Sequence, residues 1–322
     1  MSTDRLTQIP NEYAVELTPP DISAYKTGTG SIPYVHTFKS DAPGPHVAIT
    51  AVVHGNEPCG AIALDALLKA DVQPERGTLS LAFANVAAYE TFDPANANAS
   101  RWVDEDFNRL WSADVLDSDR TSNELERARA FRPFVDTVDL LLDIHSMQHR
   151  AVPLMMAGPV EKGRTLALEV GVPDTIVSDG GHGAGRRMRD YEGFSDPASP
   201  ENALLVECGQ HWEASAGTLA VDTAILFLRA TGVVAPDFWE DTLSAPPGDQ
   251  RVVEVTHPVG ITTDAFAFTQ PYTGMEVIER AGTVIGHDGD RPVETPYDNA
   301  VLIMPSKRLW KGQTAVRIGR FV

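Results

Sequence analysis

The sequence predicts an α/β fold, a mostly parallel mixed sheet with helices on both faces, followed by a small C-terminal all-β domain. Two observations carry this reading. Between about residues 45 and 235, short apolar runs alternate with helix-periodic stretches, the order that strand–helix units produce. After Ala245-Pro246-Pro247-Gly248 the texture changes: residues 251–322 hold short β-rich runs, many Gly and Pro, and no helical periodicity. The expected division is one domain over residues 1–245 and a β-rich one over 250–322.

Residues 47–53 (VAITAVV) form a continuous apolar run, typical of a strand buried on both faces. His54-Gly55-Asn56-Glu57 follows, then a helix over 61–70 with Ile62, Leu64, Leu67 and Leu68 on one face. Residues 79–84 read as the next strand. Thr121-Ser122-Asn123-Glu124 has the T-x-x-E form of a capping box and opens a helix toward Val138, with Pro133 expected to kink or interrupt it. Residues 139–144 (DLLLDI) make a strand ending at His145, and residues 152–156 a further one. Residues 203–206 make another, ending at Glu207 and leading to an apolar helix over 218–228.

Composition narrows the partners. The 322 residues include 45 acidic and 26 basic, a formal net charge of −19. So acidic a surface repels phosphate backbones and anionic lipid, which excludes nucleic acid and membrane surfaces as expected partners. No apolar run reaches the roughly 18 residues of a membrane span, and residues 1–17 lack the apolar core of a secretory signal. A cytoplasmic address is expected. Arginine supplies 20 of the basic residues, a balance suited to bidentate grips on carboxylates. Cys59 and Cys208 are too few for a disulfide framework or a zinc ribbon, so any metal is held by His and carboxylate. Nothing in the sequence fixes an oligomeric state.

Three segments at strand ends carry the chemistry, where the loops of open α/β sheets converge on ligands. His54 and Glu57, three residues apart at a strand-to-helix turn, can face one cation, and His145 can add a third ligand. Two His and one Glu form a common catalytic zinc set, although H-x-x-E alone often arises by chance. Asp143, two residues before His145 on a strand, shares its face and is a candidate acceptor orienting that imidazole. In Asp104-Glu105-Asp106-Phe107-Asn108-Arg109, Asn108 and Arg109 offer an amide and a fork suited to one carboxylate; Arg101 adds positive charge nearby, unless both arginines simply pair with the adjacent acids. Glu207 directly follows a buried run, an expensive place for a carboxylate without a role or partner; it is the candidate general base and acid. In 186–191 (RRMRDY), Arg187 and Arg189 share a face if the chain is extended and could bind a second substrate anion, or form a surface cluster. The glycine-rich turn over 180–185, His287, Met155 and Met156 read as structural, and His149 and His211 as lining or hydrogen-bonding groups.

Taken in order, HGNEPCG, DEDFNRLW, DIHS and VECG resemble the aspartoacylase and succinylglutamate desuccinylase family, deacylating relatives of the zinc carboxypeptidases. The resemblance covers about residues 45–235. It implies that His54, Glu57 and His145 bind one zinc ion per chain and that Glu207 is the general base and acid. It also implies that Arg101 polarises the scissile carbonyl, that Asn108 and Arg109 hold a substrate carboxylate, and that the β-rich tail narrows the site's mouth. The expected activity is a zinc-dependent amidohydrolase acting on a small anionic N-acyl amino acid. The alternatives are a zinc carboxypeptidase acting on peptides and a non-catalytic small-molecule binding protein on the same fold.

Overall fold

The computed structural model describes residues 11–181, 183–244, 246 and 248–322. Residues 1–10, His182, Ala245 and Pro247, on which the leader, the glycine-rich turn and the domain junction were partly read, lie outside the described residues. The elements run β1 (Val35–Lys39), β2 (His46–Ala51), α1 (Cys59–Lys69), β3 (Thr78–Phe83), α2 (Val86–Tyr89), α3 (Ala113–Leu116), α4 (Asn123–Val135), β4 (Leu140–Met147), β5 (Leu154–Met156), α5 (Glu161–Val170), β6 (Thr175–Ser178), β7 (Asn202–Gln210) and α6 (Ala214–Ala230). Only strands follow among the longer elements: β8 (Arg251–Gly260), β9 (Phe266–Phe268), β10 (Glu276–Ile278), β11 (Val284–Asp288), β12 (Arg291–Glu294), β13 (Ala300–Ile303) and β14 (Thr314–Phe321).

Eleven strands form one sheet in the order β1-β3-β2-β4-β7-β5-β6-β8-β14-β13-β10. The pairs β2–β3, β2–β4, β4–β7, β5–β6 and β6–β8 are parallel. Strands β12-β11-β9 form a separate antiparallel sheet. The C-terminal strands thus fall in two places: β8, β14, β13 and β10 extend the main sheet through the β6–β8 pairing, and the other three stand apart.

Alternation along the central strands sorts their side chains into two cores. Val47, Ile49, Leu142, Ile144, Leu204 and Val206 pack with Leu64 of α1, Leu166 of α5 and Phe227 of α6. Ala48, Leu141 and Ala203 point the other way, to Leu125, Phe131 and Phe134 of α4. Helices therefore cover both faces, as the continuous apolar runs require. By the same alternation His145 and Glu207 stand on the face of Leu141 and Ala203.

Several sequence expectations change at their ends. Strand β2 stops at Ala51 rather than Val53, because Val52 takes a left-handed backbone with φ +54° and turns the chain. Strands β4 and β7 do not stop before His145 and Glu207 but run through them. The apolar pattern lapses there while the backbone ladder continues, with His145 opposite Glu207. The capping box does not form. Ser122 is the cap, its hydroxyl accepting from the Leu125 N–H at 3.0 Å. Pro133 lies in the last turn of α4, which ends at Val135 rather than Val138. Arg187 and Arg189 do not share an extended face, since Met188–Asp190 closes a 3-10 turn.

Candidate metal centre and active site

His54 and Glu57 stand on the turn between β2 and α1. Its close packing demands glycine at position 55, where a Cβ would fall 2.3 Å from the Ala88 carbonyl carbon and 2.3 Å from the Ser100 oxygen. The Gly55 N–H donates to the Arg101 carbonyl at 3.1 Å, tying this turn to the loop that carries Arg101. That loop is organised by Glu124, fully buried on α4. Its carboxylate accepts from the backbone N–H groups of Val103, Asp104 and Glu105 and from the Asn85 amide. The glutamate expected to complete a capping box instead holds a loop of the site.

Glu57 lies between two imidazoles. His54 Nδ1 is 2.8 Å from its Oε1 and His145 Nδ1 is 2.9 Å from its Oε2. The opposite ring nitrogens are also held: His54 Nε2 is 2.9 Å from Asp106 and His145 Nε2 is 2.8 Å from Asp143. Asp143 is fixed in turn by the Thr50 hydroxyl at 2.8 Å, and Asp106 caps the short turn Phe107–Arg109 through the Asn108 N–H. Burial disfavours charge on His145, but Asp143 and Glu57 outweigh it and hold the ring well above its usual pKa. Against its own burial, Glu57 is held well below the carboxylate range by His54 and His145.

These residues fit a metal ion. One ligand atom each from His54, Glu57 and His145 lies within 4.8 Å of the others. Without their Nδ1 protons, the two rings present lone pairs beside one carboxylate, the donor set of a catalytic zinc site. Asp106 and Asp143 supply the outer hydrogen bonds that fix ring orientation in such sites. The sequence reading found Asp143 from its strand spacing. It missed Asp106, whose acid neighbours suggested a solvated face.

Glu207 projects into the same cavity from β7, opposite His145 in the ladder. Its Oε2 has no hydrogen-bond partner among the described residues. Burial, reinforced by the negative charge of Glu57, pushes its pKa up to about 8 against His145, Arg101 and Arg317. A carboxylate whose proton affinity lies near neutral pH suits proton transfer in both directions.

The cavity has a volume of about 590 Å³. Arg101 donates to Glu57 Oε1 at 3.1 Å and lies 3.6 Å from Asp106. Arg109 lines the wall, with one hydrogen bond to the Asn108 carbonyl at 2.6 Å. Burial lowers its pKa and Asp106 opposes this. Asn108 is also at the wall, but its Oδ1 already accepts from the Met188 N–H at 2.8 Å, leaving the amide N–H₂ near His145 Nε2 at 3.4 Å. From the C-terminal strands and their loops come Arg308 and Arg317, which the sequence reading did not single out because nothing local marks them.

The second-anion expectation needs correction. Arg189 is fully buried, bonded to Asp190 at 2.7 Å and to the Ala157 and Ala203 carbonyls, and does not line the cavity. Arg187 reaches the wall, but its guanidinium is already paired with Asp179 at 2.6 Å and Asp190 at 2.5 Å. His211 and His149 also line the cavity. Cys59 and Cys208 are buried free thiols, and no described helix is long and apolar enough to cross a membrane.

Fold and site define an α/β protein with a His-Glu-His cluster fit for a metal ion, set on one face of a mostly parallel sheet beside a glutamate of raised pKa. Comparison with known proteins agrees: a profile of the succinylglutamate desuccinylase/aspartoacylase catalytic domain matches residues 43–224. The chain belongs to this family. Solved structures of similar fold include succinylglutamate desuccinylase from Vibrio cholerae, 16% identical over 89% of this chain and 85% of that one, with a TM-score of 0.66. Murine aminoacylase 3 is 18% identical over 88% of this chain and 97% of its own, with a TM-score of 0.60. The product-bound ectoine utilization protein EutE (DoeB) from Ruegeria pomeroyi is 17% identical over 97% of each chain, with a TM-score of 0.57. At these identities the likeness is one of fold. No curated protein matches the sequence.

Proposed function

We propose that the chain is a zinc-dependent amidohydrolase that removes an acyl group, such as acetyl or succinyl, from a small anionic N-acyl amino acid. The observation that carries this is the pairing of Glu207, its Oε2 unpartnered among the described residues, against the His54–Glu57–His145 cluster in one cavity. One zinc ion held by His54, Glu57 and His145 would supply Lewis-acid polarisation of the amide and acidify water.

The chain's own groups do the rest. Glu207 takes a proton from the attacking water at its free carboxylate oxygen and returns it to the departing nitrogen. Arg101 donates to the oxygen that gathers charge, a type of contact often worth roughly 3 kcal/mol. Arg109 and the Asn108 amide hold the substrate's α-carboxylate, with Arg308 adding positive charge from the tail. A cytoplasmic setting remains part of the reading, supported by the two buried free thiols.

The test is turnover of N-acetyl and N-succinyl amino acids by the zinc-loaded protein, beside dipeptides. Release of amino acid from the acylated panel alone is the expected result; preference for dipeptides would favour peptidase chemistry. Glu207→Gln should cut kcat by about 10²- to 10⁴-fold with zinc still bound. Loss of the metal instead would contradict the proton-transfer role.

A further inference from the structure

His211 is a third imidazole at this cavity, outside the cluster and unused in the chemistry above. It follows β7, is 1% exposed, and lines the cavity wall. Its backbone N–H donates to the Met147 carbonyl at 2.8 Å. Its Nδ1 lies 2.8 Å from the Ser146 hydroxyl oxygen, and Ser146 is the residue after His145. A hydroxyl always has a proton to give, and among the described residues Nδ1 is the acceptor it meets. With the hydroxyl as the donor of this pair, the neutral ring carries its own proton on Nε2, an atom for which the described residues offer no hydrogen-bond partner.

We propose that His211 Nε2–H is a neutral hydrogen-bond donor to the carbonyl oxygen of the scissile amide, a catalytic group additional to Glu207 and Arg101. The position supports this: the serine that orients the ring adjoins a cluster residue, and the Ser146 N–H itself donates to Glu57 at 3.1 Å. The ring stays neutral. Burial brings its pKa down to about 3 against the pull of Glu57, and Arg101, His54 and Arg308 push the same way. A neutral imidazole suits the task, since a donor fixed in place stabilises developing negative charge without first surrendering a proton of its own.

The inference rests on the deacylase reading, so its test has one arm in turnover and one in spectroscopy. His211→Phe should lower kcat by about 10²- to 10³-fold with KM and zinc content little changed. His211→Gln, which retains a neutral N–H near the Nε2 position, should recover kcat to within about tenfold of wild type. Equal loss in both variants, or a change confined to KM, overturns the proposal. Nitrogen-15 NMR of the zinc-loaded Glu207→Gln protein should find the His211 proton on Nε2, shifting when N-acetylalanine is added. A proton on Nδ1 overturns the proposal even if wild-type protein hydrolyses nothing, an outcome that would by itself refute only the deacylase reading.

Discussion

Arg187 at the cavity wall and Arg189 behind it have their charge already answered, by Asp179 and Asp190 and by the Ala157 and Ala203 carbonyls. Arg109 and Arg308 stand at the cavity itself. Among the described residues, the Arg109 side chain bonds only a neighbouring backbone carbonyl, and the Arg308 guanidinium has no ion pair. Burial pushes Arg308 down to about 9, with Arg101 adding repulsion. The same residue type serves opposite ends here: a guanidinium with its acids in place is part of the frame, and one without them is ready for an anionic ligand. Sequence proximity does not separate the two groups. Arg187 and Arg109 each follow local acids or glycines, and only the fold decides which acids come within reach.

The largest effect should come from breaking the closed group. Arg189→Met leaves Asp190 buried with one partner fewer and should cost about 3–5 kcal/mol in urea unfolding. A loss under 1 kcal/mol would mean the group is not the structural unit described. In the open group the corresponding change reaches ligand binding instead. Arg109→Ala should raise KM about ten- to hundredfold for substrates with a free α-carboxylate, and leave the corresponding amides unaffected. Equal effects on acid and amide would reject the carboxylate grip.

Protonation sharpens the contrast because the two regions respond to pH with opposite sign. Against burial, Arg187 and Arg189 hold Asp190 below its ordinary value, so its contribution is present above about pH 4 and is lost on acidification. Glu207 is pushed up to about 8. In metal-free protein it keeps its proton where the unfolded chain has already released one, so stability falls between about pH 5 and 8 by up to about 1.4 kcal/mol per unit. Glu207→Gln should remove that slope, and identical slopes in the two proteins would contradict the raised value. The smallest expected effect is that of Arg308→Met. Removal of an unanswered charge should leave stability unchanged or raise it by about 1 kcal/mol while binding of anionic ligands weakens; clear destabilisation would mean that Arg308 is structural.

Much of the candidate site was legible because the residues fit to hold a metal sit where apolar runs stop. VAITAVV, DLLLDI and LLVE mark strands of one sheet, and neighbouring parallel strands bring the groups at their ends together. That reasoning located His54, Glu57, His145, Asp143 and Glu207, although β4 and β7 continue through the polar residues on backbone pairing that a side-chain pattern cannot report. The remainder depended on contacts distant in sequence. Asp106 finds its imidazole 52 residues away, Glu124 holds a loop about 20 residues upstream, and Arg308 reaches the cavity from the C-terminal strands. Arg187 and Arg189 would share a face only in an extended chain, and a 3-10 turn forms there instead.

Metal stoichiometry on purified, chelated and zinc-reconstituted protein tests the central claim most directly. Elemental analysis should give one zinc ion per chain in the wild type, and less than a tenth of that in His145→Ala of unchanged far-UV circular dichroism. Wild-type protein that stays free of zinc after supplementation, or a His145→Ala variant that binds as much, would contradict the account.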